Sequence, residues 1–192
     1  MTAITLQTSP IESLNQIIAL LQQLRHRLPF ADEELAHHAH LQAILAERQE
    51  QSTAALAAWR SALAARWECE VRAQRLYTRV RRQVLTLPDA KKAYVPLFES
   101  EVGSGTLTAQ DLLRSLRRLT AVLSLIQPQP PFAEQALTDL NAIASELQAA
   151  IIHTDRCDEE RRRIQAEQRL LLELCHRAYQ RTRHRIAEHL SE

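Results

Sequence analysis

Apolar residues recur at every third or fourth position in four stretches of this chain, the spacing of helices that each bury one face. The first stripe is Ile11, Leu14, Ile17, Ile18, Leu21 and Leu24. The second begins with Leu35, Ala39, Leu41 and Leu45 and resumes with Leu56, Trp59, Leu63, Trp67, Ala73, Tyr77, Val80 and Val84. Leu112, Leu116, Leu119, Leu123 and Ile126 make the third, and Leu137, Leu140, Ile143, Leu147 and Ile151 the fourth.

The helix breakers fall between these stripes. Seven prolines (10, 29, 88, 96, 128, 130 and 131) and two glycines (103 and 105) leave 11–28, 30–87, 106–127 and 132–192 uninterrupted. Inside a helix proline costs about 3 kcal/mol and glycine about 1 kcal/mol, so these four segments are the predicted helices. Ser9-Pro10-Ile11-Glu12 and Thr108-Ala109-Gln110-Asp111 read as capped starts. Asp32, Glu33 and Glu34 place carboxylates at the positive end of the second helix.

The first helix is expected to reach about Arg27. The second, if unbroken, has about 56 residues and a length of about 85 Å. Ser52 and Thr53 lie in its most polar window, and Thr154 and Asp155 hold the matching place in the fourth helix. All four are cap-forming types, so each long helix can either break or kink there or run straight through.

The matching is systematic. An offset of 102 residues carries Pro29-Phe30-Ala31-Asp32 onto Pro131-Phe132-Ala133-Glu134, and Tyr77-Thr78-Arg79-Val80-Arg81 onto Tyr179-Gln180-Arg181-Thr182-Arg183. Over 11–86 roughly a fifth of the aligned pairs are identical, against roughly a twelfth from composition alone. The expected fold is therefore all-α: an elongated four-helix bundle made of two tandem-duplicated helical hairpins. Each hairpin has a short helix followed by a long, kinked or straight one. The halves are 1–87 and 108–192, with 88–107 as connector, sharing one core because a lone hairpin cannot cover its stripe. Charge runs from acidic to basic along each long helix, which favours antiparallel packing of the two.

Composition agrees with a helical, aliphatic core. Apolar residues make up 45% of the chain and aromatics only 4%. A net charge of +1 gives no global pull toward nucleic acid or membranes. The longest purely apolar run, Ile17 to Leu21, is far too short to span a bilayer. Cys69, Cys157 and Cys175 form no paired motif, and residues 1–14 lack a basic start followed by an apolar run. A cytoplasmic setting is expected, with Cys175 in the core.

Two glycines cannot form a phosphate-binding loop, and nothing marks a nucleophile turn. Glu34, His37 and His40 share a helix face, but their partners at the 102 offset are Ala136, Asp139 and Ala142, so no second Glu-x-x-His completes a di-metal site. A solvated histidine face is expected there, with no metal and no cofactor.

Two features remain as candidate sites. Arg72, Arg75, Arg79 and Arg82 line one face of the second helix, about 200° round the axis from Tyr77 at Arg79, and Arg177 and Arg181 repeat the stripe on the helix that carries Tyr179. Such a stripe suits an anion or the phosphates of a nucleic acid, although no aromatics are interleaved for base stacking. Trp59 and Trp67 fall on one broad face and suit a protein interface. The leading expectation is a non-catalytic interaction or scaffold protein that meets a protein partner or itself. An anion- or nucleic-acid-binding module is the alternative, and no membrane role is expected.

Overall fold

The computed structural model describes residues 10–87 and 108–191. They form four helices: α1 Pro10–Gln23, α2 Ala31–Leu85, α3 Ala109–Leu125 and α4 Ala133–Ser191. There is no strand among the described residues. The expected Ser9 cap, the Pro88 stop and the connector 88–107 lie outside them.

The helix ends follow from local chemistry. Thr108 caps α3: its Oγ1 accepts from the Asp111 amide at 3.2 Å, and its own amide donates to Asp111 Oδ2 at 3.1 Å. The α1 helix stops four residues short of Arg27. The chain instead tightens, with the Arg27 and Leu28 amides both bonded to the Leu24 carbonyl at 2.8 and 3.1 Å, and this turn sends Leu28 into the core at 3% exposure.

Of the two alternatives, the long helices run on through both candidate break points as continuous helices. The hydroxyls that were to cap new helices bond backward instead. Thr53 Oγ1 donates to the Gln49 carbonyl at 2.9 Å, and Thr154 Oγ1 to the Ala150 carbonyl at 2.8 Å. A threonine that bonds one turn back is tolerated inside a helix, so a cap-forming residue type alone did not make an end.

The chain divides into two compact units. The terminal unit takes residues up to Ala57 and from Glu159 onward, and the central unit takes Ala58–Asp158. In the terminal unit, α1, the first part of α2 and the last part of α4 enclose Leu14, Leu45 and Cys175 in one cluster and Ile17, Leu21, Leu28 and Ile186 in another. In the central unit, α3, the rest of α2 and the start of α4 share one continuous core. Leu116, Leu119 and Leu123 meet Ala73, Val80 and Val84 of α2 and Leu140 and Leu147 of α4 there.

Within each unit α2 and α4 run antiparallel. In the central unit the pairs Arg72–Glu146 (2.9 Å) and Arg79–Asp139 (3.4 Å) climb one helix as they descend the other. In the terminal unit Glu34–Arg185 (3.0 Å) and Arg48–Glu167 (2.6 Å) do the same. Among the described residues no helix is long and apolar enough to cross a membrane.

Candidate functional site

In the central unit the arginine stripe of α2 stands at the edge of a groove shared with α4. The groove encloses about 440 Å³, and Leu76, Ala142 and Ile143 give it an apolar floor. Arg72, Arg75 and Arg79 form its α2 wall, and Asp139 and Glu146 its α4 wall. A second hollow of about 490 Å³ continues past Arg75 and Arg79 to Arg82 and Thr78.

The four arginines are not equivalent. The side chains of Arg72 and Arg79 are 60% and 64% exposed and reach across to Glu146 and Asp139. Arg75 and Arg82 are exposed as well, and neither meets an acid among the described residues. Helical spacing explains the arrangement. The α2 positions that pack inward are 69, 73, 77, 80 and 84, which leaves 72, 75, 79 and 82 to turn outward together.

The matching α4 stripe in the terminal unit is occupied differently. Arg177 pairs loosely with Glu173 on its own helix at 3.8 Å. Arg181 is exposed and adds positive potential near Glu34 and His38. Tyr77 is buried in the central core at 9% exposure, and Tyr179 packs half-buried against the Ile17–Leu21–Ile186 cluster. Both tyrosines are therefore part of the packing beneath the arginines.

The two tryptophans part company. Trp59 is half-buried, whereas Trp67 is 65% exposed. The expected inward stripe does not hold here, because α2 buries only Ala62 between Leu45 and Cys69. With so little core beneath this stretch, period alone cannot bring the indole inside.

The expected solvated histidine face is corrected at two residues, Glu34 and His38. His37 and His40 are exposed, but His38 is fully buried and Glu34 is 5% exposed. They join Thr182 and Arg185 of α4 in a closed chain within the terminal unit. Thr182 Oγ1 donates to Glu34 Oε2 at 2.8 Å, and Arg185 Nη1 donates to Glu34 Oε1 at 3.0 Å. The hydroxyl has one proton and the carboxylate accepts it, so His38 Nε2, 2.9 Å from Thr182 Oγ1, must be the donor there. That leaves His38 Nδ1 as a buried lone pair with no hydrogen-bond partner.

The electrostatics fit this assignment. Burial pushes the His38 imidazolium down, only partly offset by Glu34, and keeps the ring neutral. Burial by itself raises the Glu34 carboxyl, but hydrogen bonds from Thr182 and Arg185 and the charge of Arg181 hold it below its ordinary value. The Arg185 guanidinium also lies 4.1 Å over the Phe30 ring. His38 has no solvent-facing surface, and through Glu34 the cluster ties α2 to α4 within the terminal unit.

Residue type hid the cluster from the sequence, because Glu and His are usual surface residues. The signal was the 102 offset, which puts Ala136 and Leu140 opposite Glu34 and His38. Cys175 is buried, as expected, and burial raises its thiol and that of Cys69. Among the described residues no three His, Cys, Asp or Glu side chains converge to hold a metal ion. The chain matches no known family model, no curated protein and no solved structure.

Proposed function

We propose that this chain is a non-catalytic helical interaction protein that binds a protein partner or a second copy of itself. One observation carries the reading: the Trp67 indole is 65% exposed on α2, with Leu63 and Val71 half-buried at neighbouring positions of the same face. Covering such a ring recovers on the order of 2–4 kcal/mol of apolar burial. A partner surface supplies what the core beneath this stretch does not.

The test is Trp67→Glu, compared with wild type by light scattering across concentration and by capture from an extract of the source cells. Self-association, or retention of a protein, that the variant loses is the expected result. A strictly monomeric wild type whose captured proteins are indifferent to Trp67→Glu overturns the reading.

A nucleic-acid role for the arginines is less well supported. Arg72 and Arg79 already face Glu146 and Asp139, and a phosphate backbone laid there would meet both carboxylates.

The origin we infer for the fold is one two-helix unit written twice. Its support is the agreement in burial at the 102 offset: Ser13 with Ser115, Leu14 with Leu116, Ile17 with Leu119, Leu21 with Leu123, Ala31 with Ala133 and Leu45 with Leu147 are all buried. An experimental structure in which 11–55 does not superimpose on 113–157 ends that reading.

A further inference from the structure

We propose that the α2–α4 groove of the central unit seats an amphipathic, acidic α-helix of a partner protein; this rests on the interaction reading above. The floor is apolar through Leu76 and Ile143, and no α3 residue lines it. Among the described residues the central unit holds three helical segments, and between α2 and α4 the strip of Leu76, Ala142 and Ile143 is one along which a further helix can lie.

Charge selects the occupant. From Arg72, Arg75 and Arg79 in the groove on to Arg82 in the adjoining hollow, the α2 stripe runs about 15 Å, or roughly three helical turns, which matches acidic side chains repeated at every third or fourth position of an incoming helix. Arg75 and Arg82 meet no acid among the described residues and stand ready for such carboxylates. The Arg72–Glu146 and Arg79–Asp139 pairs lie at the surface, where solvent screens them, so exchanging one carboxylate for another costs little. The α4 wall, with Asp139 and Glu146, suits basic residues on the helix's other flank. A phosphate polyanion would satisfy the arginines but leave the apolar floor wet and face two acids.

The test uses the full-length protein and fluorescence anisotropy. The probes are a labelled 18-residue helical peptide with leucines on one stripe and glutamates beside it, a scramble of identical composition, and inorganic polyphosphate as competitor. The proposal expects saturable binding of the amphipathic peptide, at least ten-fold tighter than the scramble. It also expects at least a ten-fold weakening in Arg75→Glu/Arg82→Glu with an unchanged melting temperature. Equal binding of the scramble, binding of polyphosphate but not of the amphipathic peptide, no binding at low salt, or indifference to the double variant each overturns it. If the peptide fails while an extract protein is still captured through Trp67, the groove proposal falls and the wider interaction reading stands.

Discussion

At Glu34, His38 and Thr182 the terminal unit buries a carboxylate, an imidazole and a hydroxyl. At the positions 102 residues away the central unit buries Ala136, Leu140 and Val80, and Gln83 stands where the terminal unit has Arg185. The burial pattern is the same and the chemistry is opposite. The apolar version needs only shape. The polar version needs each group to find its partner on the other helix, since a buried polar atom left alone costs roughly 1–3 kcal/mol. The difference teaches that the terminal unit joins α2 to α4 through directional bonds, Thr182 and Arg185 both donating to Glu34, which a slip of one helix along the other would break, whereas the central unit joins them by shape.

Breaking this contrast in the central unit has the largest expected effect. Leu140→His puts an imidazole among Val80 and Ala136, with none of the partners that His38 has. A loss of about 3–4 kcal/mol is expected in denaturant unfolding. Thr182→Val in the terminal unit removes the donor to Glu34 and the acceptor for His38 together, and about 2–3 kcal/mol is expected to go. Hydrogen exchange should show the added opening confined to peptides of 10–57 and 159–191; an equal rise in 58–158 contradicts the division into units.

Converting one unit to the other's chemistry sharpens the comparison. Glu34→Ala/His38→Leu/Thr182→Val installs the central unit's residues in the terminal unit. It is expected to match or exceed wild-type stability, by up to about 2 kcal/mol, because three desolvated groups vanish together and the Arg185 side chain left behind is 45% exposed to water. A loss as large as that of Thr182→Val alone would show that the two sites are not comparable.

The smallest effect is that of pH. His38 is held below its ordinary value of about 6.5, so the unfolded chain binds its proton first. The His38 contribution is complete above about pH 6.5 and declines as pH falls through the window below it. Glu34, also held low, adds a further loss below its ordinary range. The triple variant should show neither decline, and midpoints measured between pH 7 and about pH 3 check this.

Much of the fold was legible because its causes are local. Proline placement bounded the four helices, the Thr108–Asp111 box marked the start of α3, and three-and-four spacing picked out Leu14, Leu21, Leu116 and Leu123. Long-range causes were not legible. His38 is buried because Thr182, 144 residues later, accepts its proton, and no local pattern predicts that. Trp67 fits an inward stripe by period yet lies outside, since only Ala62 on that stretch of α2 has a core to enter. Of the candidate site, the outward arginine stripe could be read in advance. The acids that oppose Arg72 and Arg79 could not, because they come from another helix.

Both tryptophans of the chain, Trp59 and Trp67, belong to the central unit. Indole emission is therefore a gauge of that unit alone. The terminal unit, where Tyr179 is the aromatic reporter beside Phe30, can come apart without dimming it. A melting curve followed by tryptophan is expected to register Leu140→His more strongly than Thr182→Val.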